Sequence, residues 1–218
     1  MNRPIRSYVL RQGRTTPAQK RALDELFPKY GIPFSDQPIS SSRQLVLEIG
    51  SGMGETTVEI AKAHPETDFI AVEVHGPGVG SLLNAIEKEK LANVRVIRHD
   101  ALDVLEHMIP DGALAAIHLF FPDPWPKKRH HKRRLVQPGF AALAARKLAP
   151  GGTLHAATDW ADYAEQIAAV LSGNDLFEES KSGFAERPVT KFESRGRRLG
   201  HPVRDLVFRR KGRARAAR

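Results

Sequence analysis

From residue 44 onward, short apolar runs alternate with segments of helical period, and this alternation restricts the fold more than any other feature. The runs "QLVLEIG" (44–50), "DFIAVEV" (68–74), "NVRVIRHD" (93–100), "ALAAIHLFF" (113–121) and "GTLHAATD" (152–159) read as buried strands. Between them, "ETTVEIAKAH" (55–64), "VGSLLNAIEKEKLA" (79–92), a short stretch around 102–108 and the segments 136–148 and 161–171 read as helices. Two more strand candidates, 175–182 and 203–210, bring the strands to seven. Strands separated by helices of this length form parallel βαβ units. The expected fold is therefore α/β, an open and mostly parallel seven-stranded sheet with helices on both faces. Such a sheet binds its ligands at the carboxyl ends of its strands.

Ahead of the sheet, a helix is expected over about 17–30, followed by a Pro- and Ser-rich connector, "GIPFSDQPISSSR" (31–43). The 218 residues suit a single domain, 1–218, with a basic N-terminal arm (about 1–21) and a mobile basic tail (about 211–218). There is no cysteine, which removes thiolate chemistry, iron–sulfur clusters and cysteine-ligated zinc and suits a reducing compartment. With no signal segment and no stretch near the roughly 18 apolar residues of a membrane span, a cytoplasmic location without membrane contact is expected. Nothing in the sequence sets an oligomeric state.

The net charge of +9 matters through its distribution. Segments 1–21, 127–134 and 187–218 hold 24 of the 34 Lys and Arg but only two of the 25 acids, Glu193 and Asp205. An acidic body thus carries three basic patches. Like charges grouped in this way repel one another unless phosphates neutralise them, so a polyanionic partner is the direct reading.

"EIGSGMGE", Glu48 to Glu55, falls where the first strand should turn into the first helix. Gly50, Gly52 and Gly54 allow a tight turn and a close approach of backbone to a ligand. Glu73 closes the second strand, where a carboxylate can accept from two ribose hydroxyls, and Asp100 closes the third, where it can accept from an adenine amine. Acids at three successive strand ends, Glu48 included, are costly beside a buried sheet edge unless something there donates to them. A nicotinamide site would want a third glycine at position 55, which is Glu. The pattern instead resembles methyltransferases that use S-adenosylmethionine, whose cationic sulfonium suits an acidic pocket.

"LFFPDPWPKKRHHKRRL", Leu119 to Leu135, begins at the end of the fourth strand. Pro122 and Pro124 restrict the backbone on both sides of Asp123 and so fix the direction of its carboxylate. Preorganised charge of this kind serves a transition state in which charge moves. Trp125 suits either a core position or stacking on a base. His130 and His131 have no third ligand spaced to join them, so no metal is expected.

Together with "VEVHGPGVG", "PGGTLHAATDW" and "TKFESRGRRLGH", these segments resemble the bacterial tRNA (guanine-N7-)-methyltransferases from about Arg6 to Phe208. The resemblance implies a Rossmann-like methyltransferase fold, S-adenosylmethionine as cofactor and transfer of its methyl group to N7 of guanine 46 in the variable loop of tRNA. It implies that Glu48, Glu73, Asp100 and Asp123 contact the cofactor, with Asp123 also catalytic. It further implies that Lys127, Asp159, Thr190, Lys191, Phe192 and Glu193 hold the substrate, while Arg129, His130, His131, Lys132, Arg133 and Arg134 touch the RNA. Ser51, Gly76, His131 and Arg204 depart from the family pattern without removing a proposed catalytic group. Three rivals stand beside this reading: methylation of an exocyclic amine, an RNA-binding protein that keeps the fold without turnover and, more distantly, a nicotinamide oxidoreductase.

Overall fold

The central strands form because their side chains are mostly apolar and buried on both sides. All five residues of β1 (Leu45–Ile49) are buried, as are four of five in β2 (Asp68–Val72). The computed structural model describes residues 6–9, 13–189, 193–194 and 202–212. With β3 (Val94–Ile97), β4 (Leu114–Phe120), β5 (Leu148–Thr158), β6 (Phe177–Glu179) and β7 (Arg204–Arg210), these strands build one sheet in the order β3-β2-β1-β4-β5-β7-β6. β1 to β5 are parallel, and β7 runs antiparallel to both β5 and β6. Seven strands, mostly parallel and covered on both faces, are what the periodicities predict.

Alternation along each strand splits the core in two. Leu45, Leu47 and Ile49 point to a face covered by α5 (Ala101–Asp103) with its π-helical continuation Val104–Met108, α6 (Pro138–Lys147) and α7 (Ala161–Ser172). Val46, Phe69 and Ala71 point to the other face, under α1 (Pro17–Glu25), α2 (Phe27–Tyr30), α3 (Glu55–Ala63) and α4 (Gly76–Glu89). Burying each such Val, Leu, Ile or Phe contributes roughly 1.5–3 kcal/mol, which makes the two-faced sheet the main stabilising feature.

Helix boundaries follow local chemistry. α1 begins with a capping box in which Thr16 accepts from the Gln19 N–H at 3.2 Å and Gln19 accepts from the Thr16 N–H at 2.8 Å. The single helix expected over 17–30 is two, because Pro28 sits in the first turn of α2 and lacks the N–H a continuous helix would need. α4 starts at Gly76, three residues before the predicted Val79. Gly-Pro-Gly reads as a break, yet Pro77 lies in the first turn, where its missing N–H costs nothing. β5 begins at Leu148 rather than 152, and β6 is shorter than predicted.

Candidate active site

The strand order reverses between β1 and β4, which are neighbours in the sheet although far apart in sequence. The chain leaves β1 toward one face and β4 toward the other, opening a crevice at their carboxyl ends. A cavity of about 300 Å³ occupies it, lined by Ile49, Gly50, Val72, Glu73, Phe120 to Asp123 and, from the N-terminal arm, Ser7 to Val9. Gly50, Glu73 and Asp123, chosen from sequence for one site, therefore meet.

The glycine turn forms one wall. Gly50 and Gly52 have φ of +73° and +56°, and no atom lies within 4 Å of where a Cβ would stand at either, so a ligand can rest directly on this backbone. Gly54 serves packing instead: at φ +86°, an added Cβ would lie 2.4 Å from Leu82 Cδ1 of α4. The Gly52 N–H donates to Glu73 Oε2 and the His75 N–H to Oε1, both at 2.8 Å, which ties the turn to the start of α4.

Glu48 stands behind the turn and does not line the cavity. Its carboxylate is buried, accepts from the Thr57 hydroxyl at 2.6 Å, and is pushed up to about 7. Burial is the main cause, the Thr57 hydrogen bond opposes it and the charge of Glu73 adds to it. Asp100 caps α5, accepting from the Leu102 N–H at 2.9 Å. The Tyr8 phenol lies against this carboxylate, and burial together with the charge of Asp100 raises its pKa.

The proline loop forms the opposite wall. Phe121 and Trp125 hold φ of +52° and +46°, a left-handed conformation that bulky residues enter only when surrounding contacts enforce it. Those contacts are present. The Phe121 N–H donates to Ala157 O of β5 at 2.7 Å, and the Trp125 indole N–H to Ser7 O at 2.9 Å. Arg133 stacks over the Trp125 ring with its guanidinium carbon 3.8 Å from the centroid, and donates to Arg6 O and Tyr8 O at 3.1 and 3.0 Å.

Arg134 corrects one sequence expectation. Read as an RNA contact, it is 3% exposed and spends its donors inside the protein. It reaches Pro124 O at 2.8 Å, Gln166 Oε1 at 2.9 Å and both oxygens of Asp162 at 2.9 Å, so it struts the proline loop from beneath. Lys127, Arg129 and Lys132 are exposed, whereas His130 and His131 are half-buried. His130 meets the Trp125 ring edge to face, and His131 lies 3.7 Å from Asp162. Among the described residues, no cluster of three His, Asp or Glu could hold a metal ion, and no helix is long and apolar enough to cross a membrane.

Asp123 is exposed at the mouth of the cavity, and Asp159 follows β5, half-buried. Thr190, Lys191 and Phe192 lie outside the described residues. Glu193, expected among the substrate contacts, is 1% exposed and commits both carboxylate oxygens to Arg187, so it braces that cation inside the protein instead. Sequence reasoning gave the arm only as a basic segment and missed that its Tyr8 and Val9 line the cavity, and it missed Arg187. The signal for Arg187 lay in the charge count: the two acids of the three basic segments, Glu193 and Asp205, are the two carboxylates that hold it.

A family described as "Putative methyltransferase" matches residues 42–206. The tRNA (guanine-N(7)-)-methyltransferase of Nitrosospira multiformis is 56% identical over 96% of this chain and 96% of its own. The protein of that name from Neisseria meningitidis serogroup A is 54% identical, over 96% of this chain and 92% of its own. Among solved structures, the tRNA (m1A58) methyltransferase of Aquifex aeolicus superposes with a TM-score of 0.52 at 15% identity, covering 78% of this chain and 63% of that one. This last likeness is one of fold.

Proposed function

The chain belongs to the tRNA (guanine-N(7)-)-methyltransferase family and methylates N7 of guanine in tRNA with S-adenosylmethionine; from that premise we propose that the target is guanine 46 of the variable loop and that the proline loop directs the transfer. The observation that carries this reading is the convergence of Gly50, Glu73 and Asp123 on one cavity at the strand switch point. The whole chain acts as one catalytic unit in the cytoplasm, with its basic arm and tail appended.

The residues present fit the cofactor. Gly50 and Gly52 leave open backbone where it would lie, and Glu73 keeps a second lone pair on each oxygen for ribose hydroxyls. Asp100 would receive the adenine amine, while Glu48, hydrogen-bonded to Thr57 of α3, lies outside the cavity lining. When bound, S-adenosylmethionine supplies a methyl group on a cationic sulfonium. Guanine N7 carries an in-plane lone pair and no hydrogen, so no general base is needed. Asp123 acts by position and charge, stabilising the positive charge that moves onto the guanine.

The Watson–Crick edge of guanine offers two adjacent donors, N1–H and the N2 amine, which suit the half-buried carboxylate of Asp159. Lys127, Thr190, Lys191 and Phe192 hold the nucleotide. Arg129, His130, His131, Lys132 and Arg133 meet the RNA backbone, an interaction that weakens as salt rises. The test is methyl transfer to an unmodified tRNA transcript and to the same transcript carrying adenine at position 46. Label should enter the first and stay at background in the second; equal labelling of both would refute the assignment of the target.

A further inference from the structure

A second cavity of about 240 Å³ lies beside the first, and nothing in the transfer so far uses it. Its walls come from three places in the chain: Gly13 and Thr15 of the arm with Lys20 of α1, His75 and Gly76 at the start of α4, and Arg98 just beyond β3. It shares Val9, Val74 and His75 with the cofactor cavity, so the two adjoin. No carboxylate stands among its described lining residues. Arg98 and His75 belong to none of the three basic segments of the sequence.

Packing, not acids, places these cations. α1 is docked on α4: Gln19 Nε2 donates to Ser81 Oγ at 2.9 Å, and a Cβ added at Gly80 would lie 2.6 Å from Gln19 O. That contact fixes the helix from which Lys20 extends. Arg98 lies over the first turn of α4, where a Cβ at Gly76 would stand 3.1 Å from Nη2 and 3.3 Å from Cζ. Gly76, one of the departures from the family pattern, thus leaves room for this guanidinium. His75 Nε2 faces the arm, 3.2 Å from where a Cβ at Gly13 would stand.

Both Lys20 and Arg98 are exposed. Among the described residues neither makes an ion pair, whereas Arg134, Arg146, Lys147 and Arg187 each hold a carboxylate. Like charges brought to one concavity repel, and an anion between them relieves the repulsion. The volume is below the roughly 300–1,000 Å³ of pockets that enclose a whole small molecule, which suits one phosphate of a longer polymer.

We propose that this cavity is a phosphate subsite for the tRNA substrate, in which Lys20, His75 and Arg98 grip one backbone phosphodiester beside the cofactor cavity. The Arg98 guanidinium supplies paired donors, Lys20 a point charge and His75 a ring N–H. The subsite anchors RNA without touching the reacting atoms. It requires tRNA as substrate and does not depend on which guanine is methylated.

The experiment uses the full chain and the variants Lys20→Gln, Arg98→Gln, Arg98→Lys and Lys20→Gln/Arg98→Gln. A further variant, Lys90→Gln, removes one charge roughly 20 Å away at the other end of α4. The Kd for unmodified tRNA is measured between about 50 and 200 mM salt. Lys20→Gln and Arg98→Gln should each weaken binding roughly tenfold at low salt, the scale of one charge-assisted hydrogen bond. Each should lower the slope of log Kd against log salt by about one, the signature of one lost phosphate. The double variant should lose the same single unit, because both cations hold one phosphate. Arg98→Lys should keep most of the slope and Lys90→Gln all of it. KM for tRNA should rise while kcat and S-adenosylmethionine Kd stay within about twofold, as for a contact made equally in ground and transition states.

Should Arg98→Gln fail to fold, Lys20→Gln carries the same test. A wild-type slope in both single variants, two units lost in the double variant, or an equal loss in Lys90→Gln would overturn the inference. Inorganic phosphate at matched ionic strength should compete with tRNA for the wild type and not for Arg98→Gln. Phosphate binding that Arg98→Gln abolishes while tRNA affinity stays unchanged would mark a free-anion site and overturn it too.

Discussion

Two loops face each other across the cavity, and they reach unusual backbone conformations by opposite means. The turn after β1 uses glycine at every left-handed position, Gly50, Gly52 and Gly54, so it needs few contacts and leaves open backbone toward the cavity. The loop after β4 places Phe121 and Trp125 in the same region of φ and relies on β5, the N-terminal arm, Arg133 and Arg134 to hold them there. A loop that must lie against a ligand gives up side chains. The loop that carries Asp123 keeps bulky ones and enlists the rest of the molecule.

If that contrast is right, substitutions in the two loops fail differently. The largest effect belongs to Asp123→Asn, which should lower kcat about 10²–10³-fold, the scale of one preorganised charge, and labelled methyl incorporation into tRNA measures it. Next is Gly54→Ala, which combines a left-handed φ with a contact 2.4 Å from Leu82 and should destabilise by roughly 3 kcal/mol in urea unfolding. Gly50→Ala meets no neighbour and should cost only the backbone share, about 1–2 kcal/mol, while weakening cofactor binding.

Glu48 gives a pH signature of the glycine side. Its folded pKa of about 7 lies above the ordinary 4.5, so below pH 4.5 both folded and unfolded states hold the proton and nothing is lost. As pH rises from 4.5 to 7 the unfolded chain releases its proton first, and stability falls by on the order of 3 kcal/mol, after which the loss is complete. Glu48→Gln should flatten that part of the stability profile. The smallest effect is Trp125→Phe, which removes the hydrogen bond to Ser7 and should cost about 1 kcal/mol. Amide exchange at residues 6–9 should quicken, whereas exchange at the glycine turn should not change.

The sheet was legible because its central strands are mostly apolar on both faces and its helices keep their period, so local pattern and global fold agree. The glycine turn was legible for the same reason, since φ above zero leaves a mark in the sequence. The support of the proline loop was not. Arg134 sits inside a basic run and Arg187 opens the basic C-terminal segment, and sequence alone gives a lysine- and arginine-rich segment one face, toward solvent. Which of its cations turn inward depends on acids brought in from elsewhere, Asp162 on α7 and Asp205 on β7, and that is a property of the assembled sheet. The arm was obscured likewise, because Tyr8 becomes a cavity wall only once Trp125 and Arg133 hold it.

The central claim, methyl transfer to a guanine nitrogen in the crevice between the two loops, is tested most directly by one assay. The full-length protein is incubated with unmodified tRNA and methyl-labelled S-adenosylmethionine, the RNA is digested, and the labelled nucleoside is identified by chromatography and mass. The labelled product is expected to be 7-methylguanosine. Label on an exocyclic amine, or none despite measured cofactor binding, would contradict it.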